Sequence, residues 1–277
     1  MTTQVCLTFD FDAVSIWVST FKQTTATAVS RGEYGARVGI FRILNLLKSM
    51  GVPATFFVPA HTASSFPGAA RQIAENGHEI AVHGYCHESP VGLSVEDERR
   101  LLQASKKKLH SILGAGQSIQ GYRSPAWDLS NNTVSLLEEE GFLYDSSMMA
   151  DDFSPYYPNR SFSINDEGFF TSEASRLVEM PVAWELDDFP YFQFLAKPLN
   201  AGLRRPDDVY DIWKSEFDYC YQKVKSGVFT LTMHPEIIGR GPRIEMLSRL
   251  IEHMKSCEGV SFVTLAAAAK GFIQKND

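Results

Sequence analysis

The chain has 277 residues, 44% of them apolar, and a formal net charge of −7. That apolar content excludes a disordered chain, and the length suits one or two domains, a single α/β barrel among the options. The acidic balance argues against a nucleic-acid or anionic-membrane partner, and no apolar run reaches transmembrane length.

Residues 4–10 read as a buried strand that ends in Asp10 and continues to Asp12. Side chains alternate along a strand, so Thr8, Asp10 and Asp12 share one side and Phe9 and Phe11 the other. Residues 13–35 are polar and helix-poor, a long loop directly after the carboxylates, and such loops tend to be functional. Apolar spacing predicts a helix over 38–50, a strand over 54–58, a helix over 67–75 ending at Asn76-Gly77, and a strand over 80–82. That strand runs into His83-Gly84-Tyr85-Cys86-His87, two imidazoles four residues apart with a glycine between them. Ser94 opens a helix to about Leu113, a fourth strand leads to Tyr122 and Arg123, and Ser130 caps a helix ending at Gly141.

Residues 142–144 are the next strand, followed by Asp145. Residues 150–176 read as irregular, 177–182 as a strand, and 184–206 as a second long loop, rich in aromatics. A helix over about 208–225 precedes the strand 228–234, and a helix near 244–254, a strand over 260–263 and a last helix close the chain. Strands alternating with helices seven or eight times imply a parallel sheet. Asp10, Asp12, His83, His87, Arg123, Asp145 and His234 all follow strand carboxyl ends, where barrel enzymes place their sites. The expectation is a single barrel-like α/β domain over 1–277; an open doubly wound sheet is the fallback, weakened by the lack of a glycine-rich loop after the first strand.

Two aspartates and two histidines at strand ends favour a metal hydrolase, because neutral imidazole is the commonest metal ligand. The pairs Asp151-Asp152, Asp187-Asp188 and Asp207-Asp208 read as solvated loops and helix starts, and His61, His78, His110 and His253 as structural or surface residues. Cys6, Cys86, Cys220 and Cys257 lie far apart, so no zinc knuckle or disulfide framework is expected. A reduced setting, and Met1 leading straight into a strand with no signal-peptide pattern, give a cytoplasmic expectation.

Four motifs, Thr8–Asp12, His83–His87, Tyr122–Trp127 and Leu231–Pro235, occur in the order seen in the polysaccharide deacetylase superfamily, the NodB-homology type of carbohydrate esterase. The resemblance spans residues 5–235 and implies a distorted (β/α) barrel of seven or eight mostly parallel strands that hydrolyses amide bonds. It further implies that Asp12, His83 and His87 hold a divalent metal, zinc first with manganese, cobalt or nickel as alternatives. Asp10 would be the catalytic base, Arg123 its orienting partner and His234 the general acid; Tyr85, Pro125, Trp127 and Trp184 would contact substrate.

The chain departs from the typical pattern in that Phe11 separates the aspartates and residues 13–35 replace a short link. The tryptophan often found beyond a motif like Asp145-Ser146-Ser147 is also absent, so Asp145 is either a partner of His234 or an ordinary loop aspartate. The separated aspartates, the Met233-His234-Pro235 ending and the Trp184–Phe189 loop resemble a branch of cyclic imide hydrolases, allantoinase-type enzymes and peptidoglycan deacetylases.

The expected substrate is a small cytoplasmic amide, cyclic imide or ureide, because the two long loops could roof the site and no signal sequence leads to a cell wall. The alternatives are an N-deacetylase of N-acetylglucosamine saccharides, a non-haem iron oxygenase, disfavoured by the βα alternation, and a non-catalytic carbohydrate-binding protein. No nucleic-acid or membrane partner is expected; exposed aromatics of the second loop either close the pocket or form a homo-oligomer interface.

Overall fold

The computed structural model describes residues 2–114, 116–196 and 202–276. Its centre is β1 (Thr3–Asp10), a strand buried along almost its whole length. In chain order follow β2 (Thr55–Val58), β3 (Glu79–Val82), β4 (Gly121–Tyr122), β5 (Tyr144–Asp145), the hairpin β6 (Phe162–Asn165) and β7 (Gly168–Thr171), then β8 (Val178–Glu179), β9 (Val228–Met233) and β10 (Val260–Phe262). Eight strands form one sheet, in which β1, β2, β3, β4, β5 and β8 are neighbours in that order. Strand β9 pairs with β1 along Gln4–Phe9 and fills one edge. The other edge is shared, β2 taking Thr8–Asp10 and β10 taking Thr3–Val5. Every pairing in this sheet is parallel.

The two faces of β1 explain the curl. Val5, Leu7 and Phe9 join the main core beneath the helices, with Phe56, Ile80 and Leu231. Cys6 turns the other way and packs with Phe57, Ala81, Tyr144 and Val178 inside the sheet, where Leu265, Ala268 and Ala269 of the last helix (Leu265–Asn276) plug one end. Thr8 and Asp10 lie further along that inner face, since alternate residues share a side. The result is a distorted (β/α) barrel that opens its carboxyl end to the site. Strands β8 and β9 do not pair; a parallel bridge from Asp187 to Thr232 and the Asp188 N–H on the Thr232 carbonyl close that gap instead.

Two stretches read as irregular are ordered. Residues 13–35 hold a π-helical turn at Ile16–Thr20 and a helix at Ala26–Tyr34, which runs through a π turn at Gly35–Gly39 into the helix Ile40–Met50. The helix 26–34 buries only Ala28 and Gly32, so it carries no apolar stripe to read, and its Thr25 cap accepts from the Ala28 N–H. A Cβ on Gly32 would collide with the Ala13 carbonyl, and one on Gly39 with the Pro235 carbonyl. Glycine there brings the helix against the loops after β1 and β9, which carry Asp12 and His234. Within residues 150–176 the β6–β7 hairpin is exposed on both strands, and so lacks the buried alternation that signals a strand.

The second loop also contains short helical turns, Trp184–Leu186 and Phe189–Phe192; of the stretch 184–206, residues 197–201 lie outside those described. Among the described residues no helix is long and apolar enough to cross a membrane.

Candidate active site

Asp10 is the last residue of β1, His83 follows β3, Arg123 follows β4 and His234 follows β9, so parallel register delivers all four to one end of the barrel. Asp12 and His87 join them from the loops after β1 and β3. All six side chains are buried. His83 Nε2 lies 3.5 Å from one Asp12 carboxylate oxygen and His87 Nε2 3.4 Å from the other.

The hydrogen bonds fix what those nitrogens can do. His83 Nδ1 sits 2.7 Å from the Arg123 carbonyl, which only accepts, so Nδ1 carries the proton and Nε2 a lone pair. His87 Nδ1 lies 2.6 Å from the Thr20 hydroxyl, whose own proton goes to the His87 carbonyl at 3.0 Å, giving the same tautomer. Burial holds the His83 imidazole down at about 4 and the His87 imidazole well below its ordinary value, so both are neutral near pH 7. Both Asp12 oxygens are buried without a hydrogen-bond partner among the described residues. Burial, chiefly, pushes that carboxyl well above its usual range. One potential ligand atom from each of Asp12, His83 and His87 thus lies within 4.8 Å of the others, and His234 Nε2 stands 3.8 Å from the same Asp12 carboxylate. A divalent cation fits this donor set.

Asp187, Asp188 and His234 form a second cluster of the same kind of residues, but it is internally satisfied. Asp188 accepts from His234 Nδ1 at 2.7 Å and from the His234 backbone N–H at 3.0 Å. Burial alone would lower the His234 imidazole, yet the charges of Asp187 and Asp188 outweigh it and hold it well above its ordinary value. The two aspartates are buried, which corrects their reading as solvated residues. Their signal was weak: two adjacent carboxylates look like any loop until the bridge to β9 sets them beneath His234.

Arg123 is fully buried and donates through Nη1 to Asp10 at 2.7 Å and to Thr8 at 2.9 Å, and through Nε and Nη2 to Ser146. Burial pushes the Asp10 carboxyl up, but the cationic partners, Arg123 foremost, prevail and hold it below the usual carboxylate value. Asp145 is elsewhere: it accepts from Ser147 at 2.7 Å, shares its buried environment with Glu179, and makes no hydrogen bond to His234.

Asp10, His83, His87 and His234 floor a pocket of about 130 Å³ with mostly apolar walls. Ile16, Thr20 and Phe21 come from the first insertion, Trp184 and Phe189 from the second. Trp127 and Trp184 stack at 4.3 Å between ring centroids. Of the expected substrate contacts, Trp127 and Trp184 line this pocket. Pro125 instead borders the adjoining groove beside His87, against Gly84. Tyr85 is half-buried and spends its backbone on His61 and Glu88, so the turn after β3 aims only the two histidines inward. Ala13, Lys22, His87, Ala126 and Trp127 all hold left-handed φ values between 47° and 63°. Such strain clusters at functional sites and costs about 1–3 kcal/mol per residue.

Residues 4–144 match the sequence profile of the family described as polysaccharide deacetylase. A peptidoglycan deacetylase of Helicobacter pylori is 34% identical over 280 residues, covering 96% of this chain and 95% of the relative. A solved structure from Mycobacterium smegmatis, assigned as a polysaccharide deacetylase, superposes with a TM-score of 0.86 at 35% identity, over 99% of this chain and 91% of that one. An allantoinase structure superposes with a TM-score of 0.77 at 25% identity, over 97% of this chain and 89% of that one. The ordered motifs, the barrel and this near-full-length similarity lead to one conclusion: the chain belongs to the polysaccharide deacetylase family and is a hydrolase of carbon–nitrogen bonds other than peptide bonds.

Proposed function

We propose that the protein is a metal-dependent hydrolase that opens a small amide or cyclic imide or ureide. Asp12, His83 and His87 would hold a divalent ion, zinc in the first instance. Bound there, the ion would polarise the scissile carbonyl and acidify the attacking water. Asp10, kept ionised by Arg123, accepts the proton of that water as it attacks. His234 carries a proton at neutral pH and gives it to the departing nitrogen, while Asp188 fixes the ring and stabilises its charged form. The aromatic walls lower the polarity around the site, which strengthens each of these charge interactions.

The observation that carries the choice of substrate is the pocket itself. At about 130 Å³ it falls below the ~300–1,000 Å³ of sites that enclose drug-sized ligands, and it is mostly apolar and lined by both insertions. A small ring fills such a space. A second reading, N-deacetylation of an N-acetylglucosamine saccharide, is favoured by the Helicobacter pylori relative; the same residues would serve it with only the acetamido group entering.

Succinimide, hydantoin and an acetylated chitooligosaccharide, each assayed with and without added divalent metal, separate the two. Metal-dependent ring opening without acetate release is expected. Acetate release with no ring opening would reverse the choice. Unchanged metal stoichiometry in folded His83→Ala and His87→Ala proteins would overturn the ligand assignment.

A further inference from the structure

A second cavity, of about 200 Å³, is lined by other residues of the elements that line the active-site pocket and has no part in the reaction above. The turn Ile16–Thr20 sends Ile16 and Thr20 into the pocket and Trp17 into the cavity; the turn Phe189–Phe192 likewise divides Phe189 from Phe192. Glu236, two residues beyond His234, lines the cavity. It is only 7% exposed, and both its carboxylate oxygens are buried with no hydrogen-bond partner among the described residues. Such orphaned buried acceptors are few in native proteins and ask for an explanation.

The other polar lining residues are Gln193 and the three arginines Arg31, Arg240 and Arg243. The charge of Glu236 acts on Arg31 without a bond between them. Arg31 is fixed by the Phe194 carbonyl at 2.8 Å and the Gln193 side chain at 2.9 Å, and Arg243 by the Ile237 carbonyl at 3.0 Å. Arg240 lies 3.5 Å from the Tyr34 ring centroid, and its guanidinium makes no hydrogen bond among the described residues. One wall therefore holds an acceptor in need of a donor, and the other holds three cations, of which Arg240 keeps its forked N–H groups unspent and able to match a carboxylate while Arg31 and Arg243 add positive charge.

We propose that this cavity is a second binding site for a small acid carrying both a carboxylate and an amide or ureido N–H. The carboxylate meets the arginines and the N–H meets Glu236. The class follows from the ring-opening reading, on which this inference rests. Hydrolysis of a cyclic imide or ureide breaks one acyl C–N bond, puts the water oxygen into a new carboxylate, and leaves the nitrogen on the same molecule as an amide or ureido group. Deacetylation would separate acetate from the amine, and neither product carries both groups as this cavity requires.

Calorimetric titration of the full chain, after chelator treatment, with succinamate tests the assignment. One equivalent is expected to bind, with succinate and propionamide, which each lack one half of the pattern, weaker by about tenfold or more. Arg240→Ala, a change at an exposed residue, should weaken succinamate by about tenfold or more. Glu236→Gln should remove the preference for succinamate over succinate, because an amide can donate to a second carboxylate. No binding, binding indifferent to Arg240→Ala, or equal competition by chloride would overturn the site. Succinamate binding in an enzyme that turns over no imide would sink the ring-opening reading and uphold the cavity; turnover without binding would do the reverse.

Discussion

Replacing Asp188 by Asn tests how the acid is kept protonated. Asp188 accepts twice from His234, from the ring at 2.7 Å and the backbone at 3.0 Å, and it is wholly buried. A charge-assisted hydrogen bond of this kind is worth about 1.5–3 kcal/mol, or about 1–2 pH units at 1.36 kcal/mol per unit. Asp187 remains 3.7 Å from the same nitrogen, so the imidazole should fall by about 1–2 units without reaching the value of an isolated buried histidine.

The sign is set by the native state: the charges of Asp187 and Asp188 raise the His234 imidazole well above its ordinary value, so it holds its proton through neutrality. Asp188→Asn therefore moves the alkaline limb of kcat/KM to lower pH, with about tenfold less activity per unit shifted on that limb. Nitrogen-15 NMR titration of the metal-free protein reads the ring directly, and the pH–rate profile reads its consequence. A variant with the native His234 titration and an unmoved alkaline limb would refute the assignment of Asp188 as the group that keeps the acid charged.

Three further outcomes follow from the same geometry. Asp10→Asn should lose about 10²–10⁴ in rate while elemental analysis shows native metal content, since the amide cannot take a proton from water. Arg123→Met leaves the Asp10 carboxylate buried without its cation, a loss of about 3–5 kcal/mol that thermal unfolding should register as a Tm lower by roughly 10 °C; an unchanged Tm would mean that Asp10 is protonated in the native protein. Thr20→Val frees His87 Nδ1 of its partner, and metal affinity, measured by competition with a chromophoric chelator, should fall by about 10–100-fold.

Strong local signals along the chain already specify one set of parts. The buried apolar runs ending in Asp10, His83, Arg123 and His234 announce strands, and parallel strands can only set their carboxyl ends side by side. Helices with clear stripes or caps, such as Pro67–Glu75 and Val95–Leu113, were legible for the same reason. The tertiary structure decided what has no local period. The helix Ala26–Tyr34 is held by glycine-permitted backbone contacts rather than by an apolar face. Asp187 and Asp188 look like loop carboxylates until the bridge to Thr232 buries them beneath His234, and Asp145, next to the right motif, faces Glu179 instead. Glu236 is likewise an ordinary residue after a proline until the fold buries both its oxygens with no hydrogen-bond partner among the described residues. Burial and charge balance are properties of the whole barrel, and spacing along one chain does not encode them.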